Sequence, residues 1–314
     1  MALDALTFRP VRPEDKARVI AFTYNTWGDD EDDYIKDVFD EWLIDPRGEF
    51  TAAVLEGQVV GIAKLTDMGD DEWWFEGLRI DPAYRRRGLA SEFNRYHVAL
   101  AQQLGGKVIR YMTGGSNVGS QTIGARAGFR HIITYTAHLA DAAHLTDTVQ
   151  LGDAVREFAP PTLLTSADLA ALTRWIDSPL MRHLHGVYRN AWVAKTLTVA
   201  ELRCALEAQL VYGVKDGQGN LAAWALLRAE EYDDDSEDSR HRRLRVDHLD
   251  GEMGAVTELA RQIRTLAAAR ERTDVSAGIC DYPPLVQAVV EAGYRVNPDK
   301  FGLWVLELKL TSNS

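Results

Sequence analysis

The sequence has little cysteine and no recognisable metal-binding pattern. Its 314 residues include two cysteines, Cys204 and Cys280, which lie in apolar segments without CxxC spacing. Sparse cysteine of this kind is typical of proteins in a reducing compartment, so we expect buried, reduced thiols in a cytoplasmic protein. His183 and His185 stand near each other but without further ligand spacing, so no metal site is expected.

Positive charge is also scarce. The chain has 35 Lys and Arg against 47 Asp and Glu, a net charge of −12 and a pI of about 5.2. This balance disfavours nucleic acid and anionic membrane surfaces as partners and leaves a basic or zwitterionic partner easier to attract. No apolar run approaches the length of a membrane span, and no basic region followed by an apolar run opens the chain. We therefore expect a protein that is neither exported nor inserted in a membrane.

The length fits two domains, and the second half repeats the element order of the first. In each half a β-hairpin precedes a strand, a helix and a further strand. In the first half the helix runs from about Gly88 to the capping pair Gly105-Gly106 and returns the chain for a parallel strand, Lys107–Thr113. The segment Ile132–Leu139 is expected to close this half. In the second half these segments are Leu210–Leu227, Arg242–Leu249, Ala255–Arg270 and Asp274–Cys280. We predict domains at residues 1–145 and 160–314, joined by the Asp- and Ala-rich segment Ala140–Ala159.

The most informative stretch runs from Trp73 to Ala90, where an aromatic strand closed by Asp81-Pro82 gives way to a helix. Three consecutive arginines, Arg85 to Arg87, then precede the helix start at Gly88. Cations are unfavourable at a helix N-terminus, so an anionic ligand is expected there. Free first-turn N–H groups, a glycine and guanidinium groups would together hold a pyrophosphate. The alternative is a solvated basic turn.

A downstream segment strengthens the first interpretation. The pattern Arg85-x-x-Gly88-x-Ala90 resembles the Arg/Gln-x-x-Gly-x-Gly/Ala signature of the GNAT superfamily of N-acetyltransferases. Residues 117–129 are similar to that family's Asn-x-x-Ala-x-x-Leu-Tyr-x-Lys-x-Gly-Phe segment. The resemblance covers residues 6–140 and implies an α/β fold with a mixed sheet, here as two tandem GNAT-like domains. The second is expected to be degenerate, because Asp250–Gly254 is short and acidic where the pyrophosphate loop should be.

The resemblance implies that acetyl-CoA is the cosubstrate and assigns residues to it. Backbone amides around Leu78, Arg79 and Ile80 would hold the pantetheine arm and polarise the thioester. The other expected cofactor contacts are Arg85, Arg86, Arg87, Gly88, Leu89, Ala90 and Asn117.

For the catalytic base we nominate Glu76, with Glu72 as the alternative. If strand alternation is unbroken, Glu76 shares a face with Leu78 and Ile80. Apolar neighbours would raise its pKa toward neutrality, as a base requires, whereas an ion pair with Arg79 would make it an ordinary strand carboxylate.

The acid that would protonate the leaving thiolate is not assigned. Gly124 occupies the position where many relatives carry a tyrosine acid, which leaves Tyr111, Tyr135 or water.

The predicted function is N-acetyl transfer from acetyl-CoA to a primary amine of a small molecule. The strings Glu41-Trp42-Leu43, Asp45-Pro46 and Trp74–Ile80 are similar to a tandem-domain branch of the superfamily that includes histidine N-acetyltransferase, which suggests a small α-amino acceptor. The acidic run Asp29–Asp33 is either a solvated face or a segment at the acceptor site that attracts an ammonium substrate. A non-catalytic acetyl-CoA sensor and an aminosugar or aminoglycoside acetyltransferase are the alternatives. Whether the chain forms a homodimer is left open.

Overall fold

The structure is a computed structural model that describes residues 5–24, 26, 33–143, 158–233, 240–297 and 302–310. The chain forms two compact units. Unit 1 comprises residues 1–113, 117–131 and 305–314, and unit 2 comprises residues 114–116 and 132–304. The functional division that the sequence suggests, a catalytic domain at 1–145 and a degenerate copy at 160–314, stays a prediction.

Unit 1 is an α/β unit built on a mostly antiparallel sheet. Its elements are β1 (Thr7–Pro10), α1 (Lys16–Thr23), α2 (Ile35–Ile44), β2 (Gly48–Leu55), β3 (Gln58–Asp67), β4 (Glu72–Ile80), α3 (Leu89–Gln103), β5 (Val108–Gly114) and α4 (Val118–Arg126). Strands β1 to β5 follow chain order in the sheet, antiparallel up to β4, and β4 then pairs in parallel with β5. The hairpins and the parallel crossover through α3 are as predicted.

Helix α3 has the ends that its glycines predict. Gly88 is the N-cap and adopts a left-handed conformation with φ 89°, which costs a glycine little. At the other end Gly105 has φ 83°, its N–H donates to Gln102 O, and Gly106 N–H donates to Ala101 O at 2.8 Å. This is the Schellman motif, so both ends of the helix that carries the arginine loop are fixed by the backbone.

One face of the unit 1 sheet packs on helices α1 and α2. Its buried cluster includes Phe39 and Trp42 of α2, Phe50 of β2 and Ile62 of β3. The Phe50 ring meets the rings of Phe39 and Trp42 edge-on, with centroids 5.3 and 5.4 Å apart. Helix α2 is therefore held firmly over the face of β3 and β4 on which the candidate site lies.

Unit 2 repeats the predicted order. Its elements are β6 (Arg130–Asp141, from Ile132 onward), β7 (Thr162–Leu163), α5 (Leu169–Thr173), α6 (Pro179–His183), β8 (Val187–Asn190), β9 (Val193–Thr196), α7 (Val199–Glu207), β10 (Val211–Lys215), β11 (Leu221–Asp233), β12 (Arg240–Gly251), α8 (Met253–Ala269), β13 (Asp274–Cys280), α9 (Pro283–Glu291), β14 (Arg295–Val296) and the start of β15 (Leu303–Lys309). As in unit 1, a hairpin comes first, formed by β10 and β11, and β12 follows it. After the crossover through α8, strand β13 pairs with β12 in parallel.

One strand assignment from the sequence is wrong. The segment Ile132–Leu139 was expected to close the first half, but it belongs to unit 2, where β6 pairs antiparallel with β13. The strand beside β5 in unit 1 is β15, of which Val305 onward belongs to that unit. The pairing of β5 with β15 is favoured by an ion pair: Arg110 Nε of β5 lies 2.8 Å from Glu307 of β15, and both side chains are largely buried.

Cys280 is buried as expected, but Cys204 is exposed on α7, so the expectation of two buried thiols is wrong for that residue. Both cysteines are free thiols. Three acidic or connecting stretches lie outside the described residues: 29–32 of the first acidic run, 144–157 of the connection and 234–239 of the second acidic run. None of the described helices is long and apolar enough to span a membrane.

Candidate active site

A β-bulge in β4 shapes the site. Lys64 of β3 lies opposite Glu76 and Ile62 lies opposite Arg79, so β4 has one more residue than β3 in this interval. Gly77 absorbs the extra residue with φ 67°. A Cβ at Gly77 would lie 2.5 Å from the Trp42 ring, so the indole packs directly on the bulge.

The bulge changes which face Glu76 occupies. The unbroken alternation expected from the sequence would place Glu76 with Leu78 and Ile80. Because the bulge shifts the register by one residue, Glu76 instead shares its face with Arg79, opposite Lys64 and Ile62. That expectation is wrong, and the carboxylate lies on the face covered by α2.

Glu76 is half-buried, and burial raises its pKa from 4.5 to about 7. Interactions with Trp74 and with Lys64 act in the opposite direction, while the carboxylates of Asp45 and Glu41 add to the increase. A carboxylate with a pKa near neutrality can accept a proton at neutral pH and release it again. Desolvation, rather than a strong cationic partner, therefore determines the proton affinity of Glu76.

Lys64 is fully buried and forms an ion pair with Asp45, with Nζ 3.3 Å from Oδ2. Asp45 also accepts hydrogen bonds from Arg47. Although burial acts to raise the pKa of Asp45, these hydrogen bonds and the Lys64 charge hold it at about 2. Asp45 is thus ionised beside Glu76, and its negative charge makes the ionisation of Glu76 less favourable. The sequence interpretation missed this pair, although a lysine inside the apolar segment Val59–Leu65 was a signal for it.

The structure gives Glu72 and Arg79 different surroundings. Glu72 begins β4 and pairs with Arg110 at 2.8 Å, and both side chains are largely buried. The Arg79 guanidinium forms a two-pronged ion pair with buried Asp33, at 2.6 and 3.1 Å. Asp33, the last acid of the acidic run, is therefore occupied in the core.

Strands β4 and β5 separate beside Glu76. Their parallel pairing covers Glu72 to Trp74 on β4 and ends at Arg110 on β5. Farther along β4, Asp81 N–H donates to Val60 O at 3.0 Å, toward β3. Since successive N–H groups alternate in direction, that of Ile80 points to the side where β5 has separated. The fork therefore offers the backbone donors of Leu78 and Ile80 to an extended ligand, whereas the N–H of Arg79 points toward β3 by the same alternation.

The loop after β4 has the properties of an anion site. The N–H groups of the first turn of α3 have no acceptor within the helix, and no side chain caps them. Arg85 Nε donates to Ile80 O, and Arg87 donates to Ala83 O and stacks over Tyr84, so both brace the loop. Within the described part of the chain, Arg86 makes no such contact. It is exposed and has φ 61°, the left-handed conformation.

Asn117 is the N-cap of α4. Its Oδ1 accepts a hydrogen bond from Ser120 N–H at 3.1 Å, so the side-chain oxygen caps the helix. Leu89 is buried in the first turn of α3, so it can contribute through its backbone, and Ala90 beside it is half-buried. Of the two tyrosines considered as proton donors, Tyr111 lies at the fork and Tyr135 lies in unit 2.

The corresponding place in unit 2 has no such loop. Strand β12 continues to Gly251 and α8 begins at Met253, so Glu252 alone separates them, whereas eight residues separate β4 from α3. An acidic single-residue connection offers no room and no positive charge for a pyrophosphate. Among the described residues, no group of three or more His, Cys, Asp or Glu side chains is arranged to hold a metal ion.

Comparisons with known proteins agree with this geometry. Residues 16–129 match the family model of the Acetyltransferase (GNAT) family. Among solved structures, the chain is similar to a GCN5-related N-acetyltransferase from Sphaerobacter thermophilus (TM-score 0.64, 12% identity, 98% of this chain and 96% of that one). It is also similar to a tandem GNAT protein from the clavulanic acid biosynthesis pathway (TM-score 0.56, 13% identity, 98% and 100%).

A third similar structure is the GCN5-related glucosamine N-acetyltransferase region of a fungal multi-domain β-N-acetylglucosaminidase (TM-score 0.68, 12% identity, 98% of this chain and 38% of that one). No curated protein matches the chain significantly. At these identities the structural likeness shows the fold alone. The family match covers the segment that carries the fork, the arginine loop and Glu76. Residues 16–129 therefore match the GNAT family of acetyltransferases, in an α/β chain whose fold is similar to that of tandem GNAT proteins.

Proposed function

We propose that this protein is an acetyl-CoA-dependent N-acetyltransferase that acts on the primary amine of a small molecule, with Glu76 as the catalytic base. The observation that carries the proposal is the position of Glu76. It is a half-buried carboxylate with a pKa raised to about 7, on a bulged strand beside the point where β4 and β5 separate. The family match of residues 16–129 supports acyl transfer from acetyl-CoA in general, and the site supports an amine acceptor.

The residues of unit 1 fit acetyl-CoA. The first-turn N–H groups at Gly88, Leu89 and Ala90, with the exposed Arg86, would hold the pyrophosphate. Arg85 and Arg87 brace the loop from within.

Farther along the cofactor, the amides of Leu78 and Ile80 and the NH₂ of Asn117 would hold the pantetheine arm and the thioester carbonyl. Bound acetyl-CoA supplies an activated acetyl group. The protein supplies its orientation and the movement of the amine proton.

Glu76 is suited to that proton. A primary ammonium must lose a proton before its nitrogen can attack a carbonyl carbon, and a base is most effective when its pKa lies near the operating pH. Asp45 and Glu41 are the other carboxylates that influence Glu76, but Asp45 is already paired with Lys64 and Arg47. The proposal therefore assigns amine deprotonation to Glu76 itself.

We further propose one acetyl-CoA site per chain, because the β12–α8 connection of unit 2 lacks the loop. Calorimetry with acetyl-CoA should give a stoichiometry of one. A stoichiometry of two would contradict the proposal of a degenerate second unit.

The activity is tested by following thiol release from acetyl-CoA with a panel of amino acids, polyamines, aminosugars and aminoglycosides. With an active acceptor, Glu76→Gln should lower turnover by about 10²- to 10⁴-fold near neutral pH and leave acetyl-CoA affinity almost unchanged. The acidic limb of the wild-type pH profile should vanish in this variant. Glu56→Gln, in the exposed hairpin turn between β2 and β3, is the matched control and should behave as wild type.

The same experiments separate the alternatives. Binding of acetyl-CoA without thiol release for any amine would favour the non-catalytic sensor. Wild-type turnover in Glu76→Gln would show that this carboxylate is not the base.

A further inference from the structure

Lys64 lies directly opposite the proposed base in the sheet. The ladder between β3 and β4 stays in regular register from the pair of Asp67 and Trp73 up to the pair of Lys64 and Glu76. Directly opposed residues of an antiparallel pair point to the same face, with their Cβ atoms about 4.5–5.5 Å apart. The bulge at Gly77 begins only after this pair and does not separate it. The ammonium and the carboxylate are therefore cross-strand neighbours on the face covered by α2.

The Lys64 ammonium has unsatisfied hydrogen-bond donors. The side chain is fully buried, and its Nζ lies 3.3 Å from Asp45 Oδ2. Within the described residues, this Nζ has no acceptor in hydrogen-bonding geometry. An ammonium carries three N–H groups, and burying them without acceptors is unfavourable. A carboxylate on Glu76, the cross-strand neighbour, would supply both an acceptor and a countercharge.

Asp45 already has hydrogen-bond donors of its own. It follows the last residue of α2 and accepts hydrogen bonds from the backbone N–H and the Nε of Arg47, both at 3.0 Å. The group formed by Lys64, Asp45 and Arg47 therefore carries two positive charges and one negative charge. An additional negative charge balances it, so this group as a whole tolerates an ionised Glu76.

Other titratable groups lie on this face or at its edges. They are Glu41, Arg47, Tyr34, the pair of Arg79 with Asp33, and the pair of Glu72 with Arg110. The two pairs are internally balanced, and both are largely buried. Glu41 and Arg47 are exposed, so solvent and salt screen their charges. Changes at Lys64 and Asp45 should therefore alter the ionisation of Glu76 most.

We propose that Lys64 and Asp45 are opposed positioning residues for Glu76, of which Lys64 favours its carboxylate form and Asp45 favours its neutral form. This rests on the proposed function, in which Glu76 takes the proton of the amine. A base must be unprotonated when the amine arrives, whereas burial alone favours a neutral carboxyl group at neutral pH. Lys64 restores part of the ionised population without contacting the substrate.

The two opposed charges suit the task of a base. Burial raises the pKa of Glu76 to about 7, the Lys64 charge limits the increase, and the Asp45 charge adds to it. A carboxylate with a much lower pKa would bind the amine proton too weakly, and one with a much higher pKa would already be protonated in the resting enzyme. The cation and the anion together keep Glu76 between these limits.

The test uses two variants that break the same ion pair. Lys64→Met removes the cation and keeps a buried side chain of similar length, while Asp45 retains its hydrogen bonds from Arg47. Asp45→Asn removes the anion instead. A purely structural effect of losing the ion pair would be alike in the two variants, whereas the electrostatic effects on Glu76 have opposite signs.

The first measurement is the titration of Glu76 in the protein without ligands, followed by carbon-13 NMR of glutamate labelled at the side-chain carboxyl group. The signal that is missing in Glu76→Gln identifies this residue. Its pKa should rise by about one to two units in Lys64→Met and fall by about one unit in Asp45→Asn. Lys107→Met, which loses an exposed ion pair with Asp71, is the matched control and should leave the titration unchanged.

The pH profile of kcat/KM with an active acceptor gives the second readout. Its acidic limb should move in the same directions and by the same amounts as the titration. On the acidic side Lys64→Met should be about 10- to 100-fold slower than wild type. The difference should disappear at high pH, where Glu76 is ionised in both proteins.

An unchanged titration of Glu76 in Lys64→Met would overturn the proposal, as would shifts of the same sign in the two variants. If Lys64→Met does not fold, Asp45→Asn decides by the same two measurements, and an unchanged or raised pKa of Glu76 there would refute the proposal. Failure of the proposed function looks different: no amine would cause thiol release, or Glu76→Gln would keep wild-type turnover. The titration would still report the effect of the two charges.

Discussion

Replacing Glu76 with glutamine should make the folded protein more stable at neutral and alkaline pH while slowing the proposed acetyl transfer. The pKa of Glu76 is about 7 in the folded state, whereas the unperturbed value, which we take for the unfolded chain, is 4.5. Between these values the folded protein retains the proton that the unfolded chain has lost. The unfolded state then binds fewer protons, so stability falls as pH rises through this window and stays lower above it. Glutamine carries no such proton and avoids the loss.

The magnitude follows from the shift. One pKa unit corresponds to about 1.4 kcal/mol, so the change from 4.5 to about 7 corresponds to roughly 3 kcal/mol at most. Because the carboxylate is half-buried and partly screened, we expect the free energy of unfolding of Glu76→Gln to exceed that of wild type by about 2–3 kcal/mol at about pH 8. Near pH 4 wild-type Glu76 is neutral, so the two proteins should be equally stable.

Denaturant titrations at these two pH values measure the difference. Other groups with altered pKa values, Asp45 among them, are common to both proteins and cancel. Glu72→Gln is the control with the opposite sign: it weakens a largely buried ion pair with Arg110 and should destabilise the protein by roughly 1–3 kcal/mol at about pH 8. If Glu76→Gln were destabilising at that pH, or shifted stability equally at both, the carboxylate would not be desolvated and its assignment as the base would lose its support.

Three further predictions concern other parts of unit 1. Ala90→Glu places an anion in the first turn of α3, so it should raise stability by about 0.3–1 kcal/mol in thermal unfolding yet lower acetyl-CoA affinity at least tenfold by calorimetry. Gly77→Ala puts a Cβ 2.5 Å from the Trp42 ring at φ 67° and should destabilise by about 2–3 kcal/mol; a smaller cost would mean that the bulge relaxes. Glu307→Gln removes one carboxylate from Arg110 and should lower stability by about 1–3 kcal/mol, and an unchanged melting temperature would contradict this.

Local signals in the sequence predicted most elements of unit 1. Apolar spacing and flanking glycines gave α3 its limits within a residue or two, because capping depends on a few neighbouring residues. The hairpins and the parallel crossover were equally accessible. The nomination of Glu76 rested on its apolar neighbours, and burial does raise its pKa, although its role stays a proposal.

Features that depend on distant residues were not accessible in this way. The bulge at Gly77 is fixed by Trp42, 35 positions earlier, and it moved Glu76 to the opposite face from that expected. The buried partners of Lys64 and Arg110 come from other elements. The partner of β5 was also ambiguous, because Ile132–Leu139 and β15 are both apolar alternating segments. The alternation alone does not indicate which of them pairs with β5.

The placement of β15 has a consequence for protein synthesis. The strand that pairs with β5 in unit 1 is among the last parts of this sequence to be translated. While the ribosome makes the intervening 188 residues, 115–302, β5 has an unprotected edge, and the charge of Arg110 lacks Glu307. The nascent first unit should therefore depend on chaperones until translation passes Lys309.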